Sequence, residues 1–172
     1  EEKDGKLQYQ ASSPDELALV NGAKYMGAEY LTTDHNGVMH IDFLGARQEF
    51  QLLNLIEFNS DRKRMSVIVK TPDNKIVLFC KGADTILMER LAADGDKDVL
   101  DLTLLHLEDY AQAGLRTLLL AYREIDPVVY GEWLREYQVA STAVVDRDVL
   151  MDEVADKIER ELVLLGATAI ED

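Results

Sequence analysis

The sequence predicts a mixed α/β (α+β) domain: a largely antiparallel sheet of about six to seven strands flanked by helices. Three observations lead there. Hairpin signals dominate the first half of the 172 residues. Helical and strand-like stretches alternate in the second half. No Pro-, Gly- or Ser-rich linker separates the two, so residues 1–172 read as a single domain.

The elements follow in order. Ser13-Pro14-Asp15-Glu16 is a helix start: a hydroxyl N-cap, a proline at the first helical position and a glutamate that completes a capping box. This helix should reach about Met26 and stop at Gly27. Glu29 to Thr33 and Val38 to Phe43 read as strands joined through Asn36-Gly37, a strong hairpin turn. Glu49 to Phe58 is a long strand. Met65 to Lys70 and Lys75 to Cys80 form a second hairpin, with Pro72 at its corner. Asp84 caps a helix to about Leu91, and Asp94 to Asp98 is a polar loop. Val99 to Ala113 is helical, and Leu115 to Tyr122 is a buried strand. Asp126-Pro127 opens a helix to about Val139. A last helix, about Asp148 to Glu161, feeds the apolar strand Leu162 to Ala169.

Charge narrows the function classes. Thirty-three acidic against 18 basic residues leave a net charge of -15. Such a field repels nucleic acid and anionic membrane surfaces. It also repels ATP, so a nucleotide site would need a local group of cations. Cys80, the single cysteine, sits beside the apolar run Ile76 to Phe79 and reads as a buried thiol in a reducing compartment. No apolar run approaches the roughly 20 residues of a membrane span. Glu1 and the apolar run just before Asp172 suggest a segment cut from a longer chain.

Several common sites have no counterpart here. There is no Gly-rich P-loop and no dinucleotide fingerprint. His35, His40 and His106 lack metal-ligand spacing. Asp94-Gly95-Asp96-Lys97-Asp98 imitates the start of a calcium loop, but Val99 and Leu105 stand where Gly and Glu are needed.

The most informative stretch is Phe58-Asn59-Ser60-Asp61-Arg62-Lys63-Arg64-Met65-Ser66-Val67. Phe58 closes a strand, so core packing is its plain reading. Its polar neighbours cannot easily surround a buried ring, which leaves one face available for stacking on a base, an interaction of roughly 1–3 kcal/mol. Arg62, Lys63 and Arg64 read as a solvated turn. Lys81 ends a strand beside Gly82 and can reach phosphate oxygens, although a plain strand-to-helix turn explains it equally. Arg116 begins a strand and could simply pair with a carboxylate. The capping box accounts for Glu16 completely.

With these residues in place, the chain resembles the nucleotide-binding (N) domain of P-type ATPases nearly end to end. The motifs are Ser13-Pro14-Asp15-Glu16, Phe58-Asn59-Ser60 with Arg62-Lys63-Arg64-Met65-Ser66-Val67, Lys81-Gly82-Ala83-Asp84, Gly114-Leu115-Arg116-Thr117-Leu118 and the tail Gly166 to Asp172. That tail and the fuller Ser12-Ser13-Pro14-Asp15-Glu16 resemble the P4 type, the phospholipid flippases. The resemblance implies a twisted antiparallel sheet and a role for each matching residue. Phe58 would stack on adenine, and Glu16 would sit near its amino group. Ser60 and Met65 would line the base pocket. Lys81 would lie deep in the site, and Arg116 would contact phosphate. Arg62-Lys63-Arg64 then become framework of the turn.

The resemblance also implies ATP, with Mg2+ bound alongside it, as the ligand, and no catalytic or metal-binding residue in this chain. The family's phosphorylated Asp-Lys-Thr-Gly and its Gly-Asp-Gly hinge do not occur here. The domain should therefore bind ATP without turnover and present its terminal phosphate to an aspartate of a phosphorylation domain. Implied partners are the phosphorylation and actuator domains, a phospholipid reached through membrane helices, and an auxiliary subunit. The expected setting is the cytosolic side of an integral membrane protein. Two alternatives remain open at this stage: the equivalent domain of a cation pump, and a non-catalytic binding domain with a degenerate pocket.

Overall fold

The computed structural model describes residues 2–3, 6–7 and 9–171. Among these described residues nine strands and five helices run in the order β1 (Glu2–Lys3), β2 (Lys6–Leu7), α1 (Pro14–Tyr25), β3 (Ala28–Thr33), β4 (Val38–Phe43), β5 (Ala46–Ile56), β6 (Arg64–Lys70), β7 (Ile76–Gly82), α2 (Asp84–Met88), α3 (Lys97–Gln112), β8 (Arg116–Ile125), α4 (Pro127–Ser141), α5 (Arg147–Ile158) and β9 (Val163–Ile170). Strands β3 to β9 are hydrogen-bonded in sequence order as a seven-stranded sheet, and β1 and β2 form a separate two-stranded one. The expected fold class is the one observed. The chain packs as two compact units, Glu1–Leu53 with Lys70–Asn74, and Asn54–Val69 with Lys75–Asp172.

In the first unit the predicted helix start is present. Ser13 Oγ accepts the Glu16 N–H at 3.2 Å, and Pro14 occupies the first helical position. The β3–β4 hairpin turns where predicted. Asp34 Oδ1 accepts the N–H groups of Asn36 and Val38 at 2.8 and 2.9 Å, and Gly37 takes φ +78°, which a side chain would oppose. These amides, the Val38 N–H first, hold the Asp34 carboxyl below its usual range. Strands β4 and β5 meet through Leu44-Gly45, both at positive φ, the arrangement that matches strand twist in a two-residue hairpin.

The second unit holds most of the core. Ile68, Leu78, Leu119, Ala121 and Ile125 are buried on the sheet, against Leu87, Ala155, Ile158 and Leu162. Helix α2 packs on β7 and β8, α3 on β8 and β9, and α4 on α5. Trp133 of α4 is buried and donates its indole N–H to the Val154 carbonyl at 2.8 Å. Asp126 caps α4 by accepting the Val128 and Val129 N–H groups.

Several boundaries differ from expectation, most of them where a hydrogen bond claims the backbone. Strand β5 ends at Ile56, not Phe58, since the Glu57 carbonyl accepts from Arg62. Helix α2 ends at Met88, because Arg90 and Ala92 pair their backbones with Leu162. Ala83, not Asp84, holds its N-cap position. Helix α3 starts at Lys97, since the Asp96 carboxylate accepts the Asp98 and Val99 N–H groups. That carboxylate is therefore a cap. Strand β8 runs on to Ile125, paired with Ile76. Helix α5 ends at Ile158, where Arg123 donates to the carbonyls of Ile158 and Arg160.

Cys80 is 3% exposed, and burial pushes its thiol up to about 11. Folded protein should therefore resist a thiol reagent at pH 8 and react stoichiometrically in denaturant. The unfolded thiol ionises at its ordinary 9.0. The unfolded state thus releases a proton first, and stability should decline as pH rises from about 9 to 11, as denaturation midpoints would record.

Candidate functional site

The connector between β5 and β6 carries the most unusual chemistry in the second unit. Glu159, the residue that ends α5, is 0% exposed. Its Oε1 accepts from Arg62 Nη2 at 2.5 Å and from Ser66 Oγ at 2.6 Å, and its Oε2 accepts from Arg64 Nε at 2.6 Å. Arg64 Nη2 also donates to Asp156 Oδ1 at 2.9 Å, a carboxylate shared with Arg90. Arg62 and Arg64 are 6% and 3% exposed. The solvated turn expected for them is thus wrong: a buried carboxylate draws both guanidinium groups inside, where each charge is compensated by hydrogen bonds. They are framework, as the resemblance implied.

Lys63 separates from its neighbours. It is exposed, at φ +49°, with its backbone pinned by the Asn59 carbonyl at 2.9 Å and the Ala83 N–H at 3.1 Å. The framework role extended to all three cations therefore fails for the Lys63 side chain. It is an outward cation on the same connector as Phe58 that reading the three as a block concealed.

Phe58 is 60% exposed, so core packing does not describe it. It sits in the connector two residues past the end of β5, and Ser60 beside it is exposed. Phe58 borders a cavity of about 520 Å³ shared with Asp61, Arg62, Tyr137, Arg147 and Met151.

Strand alternation places three more of the predicted residues. Ser66, through its bond to Glu159, faces the α5 side. Cys80 bonds Ser66, and Gly82 abuts Arg64, so both face the same way. Met65 and Lys81 therefore face the other way. Lys81 pairs with Leu120 across the β7–β8 ladder, and Arg116 lies on Leu120's face, four residues or about 13 Å along β8. The structure thus brings Met65, Lys81 and Arg116 to one face of the second unit's sheet. Among the described residues, none of these three lines the cavity beside Phe58. Glu16 belongs to the first unit, on α1. A larger open groove of about 820 Å³ in that unit contains none of the predicted residues.

Glu159 escaped the sequence reading. The available signal was the alternation of Arg64 and Ser66 on a strand with buried neighbours, which demands a buried acceptor. Nothing in the local sequence says that α5 supplies it.

This sheet, with its outward aromatic and cations around an inward charge cluster, defines a domain class that comparison identifies. Residues 1–172 match the P-type ATPase, cytoplasmic domain N family, and the chain belongs to it. Its relatives include "Phospholipid-transporting ATPase DRS2" of Saccharomyces cerevisiae, 49% identical over 99% of this chain and 13% of that protein. "Phospholipid-transporting ATPase DNF1" of Chaetomium thermophilum is 48% identical over 97% of the chain and 11% of that protein. "Phospholipid-transporting ATPase IC" of Homo sapiens is 45% identical over 98% and 13% respectively. The chain thus spans only a small part of these relatives. Among the described residues no helix is long and apolar enough to cross a membrane.

Gly82 tests the geometry. A Cβ there would lie 2.6 Å from Arg64 Cβ, 2.7 Å from Leu87 Cδ1 and 2.8 Å from the Lys63 carbonyl oxygen. Gly82→Ala should therefore cost about 1–3 kcal/mol in chemical denaturation. An unchanged midpoint would mean that Arg64 and Lys63 move aside freely.

Proposed function

We propose that this chain is the ATP-binding domain of a phospholipid-transporting P-type ATPase. The observation that carries the proposal is Phe58, an aromatic side chain more exposed than buried, on a connector anchored by a buried charge cluster. Phe58 stacks on adenine. Ser60 and Met65 line the base. Lys81 lies near base and phosphates, and Arg116 meets the phosphate chain. Exposed Lys63 adds a cation on the same connector. Together these cations offset the net charge of -15 that otherwise repels ATP.

Among the described residues no group of three or more His, Cys, Asp or Glu is placed to hold a metal ion. Mg2+ accompanies the nucleotide's phosphates and the phosphorylation domain. The chain's own residues bind and orient the nucleotide. The terminal phosphate is then presented to an aspartate of that domain, and the actuator domain acts in the same polypeptide. The names of the relatives support a phospholipid as the transported substrate. In this proposal the lipid moves from the outer to the cytosolic leaflet. Contacts to the lipid, and to any auxiliary subunit, lie outside this domain, which sits on the cytosolic face of the membrane protein.

One stacking surface and few cations imply weak binding, with a dissociation constant of about 0.1–1 mM, or about 4–5 kcal/mol. An ATP titration followed by NMR should shift Phe58, Lys81 and Arg116 without phosphate release. Phe58→Ala should stay folded and lose about tenfold or more in affinity, the scale of one stacked base. Absence of shifts at millimolar ATP, or unfolding of Phe58→Ala, would sink the assignment.

A further inference from the structure

We propose that Glu159 is a positioning residue for Phe58, acting through Arg62. The inference rests on the nucleotide reading of Phe58 given above. An aromatic ring that is 60% exposed is poorly held by packing, so the backbone on either side must set its direction. Both sides are tied to one residue. Arg62 Nη1 donates to the Glu57 carbonyl at 2.7 Å, and the Arg62 backbone N–H donates to Asn59 Oδ1 at 2.6 Å. Asn59 is braced further: its Nδ2 donates to Asp152 Oδ1 at 3.0 Å, and its carbonyl accepts the Lys63 N–H at 2.9 Å. Phe58 is the residue between these clamps.

Arg62 can clamp only because its own guanidinium is fixed. Its Nη2 bonds Glu159 Oε1, which also holds Ser66, while Oε2 holds Arg64. The carboxylate is thereby tied to β6 as well as to α5, and the guanidinium inherits that rigidity. Chemistry more than 90 residues away in sequence sets the direction of the ring. Without it, the connector would sample conformers in which Phe58 cannot stack, and apparent affinity falls in proportion to the competent fraction.

The test combines dynamics with binding in this domain. Glu159→Asp keeps the charge but draws the carboxylate back by one methylene, and Arg62→Lys keeps the charge but loses the fork. In each, backbone order parameters at Glu57–Ser60 should fall from the rigid range near ~0.85 to below about 0.6, with β6 and β7 unchanged. The ATP dissociation constant should rise about fivefold, corresponding to a competent fraction of roughly one fifth. Folded variants that keep both a rigid connector and the original affinity overturn the proposal. If neither variant folds, Asn59→Ala, which removes no charge, makes the same comparison with the same two outcomes. A wild-type domain that shows no ATP shifts at Phe58 fails the nucleotide reading instead. The relaxation data then still decide whether Glu159 and Arg62 hold the connector.

Discussion

The second unit of this protein depends on one carboxylate. Glu159 sits at the end of α5 with no exposure to solvent, and each of its oxygens accepts a bond from β6 or from the connector before it. Burying such a charge costs several kcal/mol, and only close, directional partners offset it. Two guanidinium groups and a hydroxyl supply them. Once formed, the cluster ties α5 to β6, turns the connector and fills the sheet face under Gly82. Removing one partner from a buried set of this kind typically costs about 3–5 kcal/mol, because the remaining charge is stranded.

That inward cluster determines what the other face can do. Strand alternation makes the two faces complementary: if Arg64, Ser66, Cys80 and Gly82 point toward α5, then Met65 and Lys81 point away. The β7–β8 register pairs Lys81 with Leu120, and Arg116 lies on that face about 13 Å along β8. An acidic protein thus spends two of its arginines internally and keeps Lys63 between them exposed. Buried Arg62, Arg64 and Ser66 alternate with exposed Asp61 and Lys63 and half-buried Met65 along this stretch.

Much of this was legible beforehand. Ser13 with Pro14, and Asn36 with Gly37, carry local chemistry that acts within a few residues, and the structure realises both where expected. Phe58 was readable as an open aromatic because six polar residues in a row cannot bury a ring. The ends of β5, α2 and α5 were not legible. Each is set by a backbone group captured by a distant partner: Glu57 by Arg62, Arg90 and Ala92 by Leu162, and Ile158 by Arg123.

By itself the sequence determined the element types, the hairpin turns, the fold class and the family, since propensity, capping and motif spacing are local or ordered along the chain. Only the tertiary structure decided which of three adjacent cations go inside. Arg62, Lys63 and Arg64 are chemically similar. The choice belongs to Glu159, whose position depends on the path of three strands and four helices between it and the connector. A buried charge selects its partners by distance in space, and no local pattern encodes that distance.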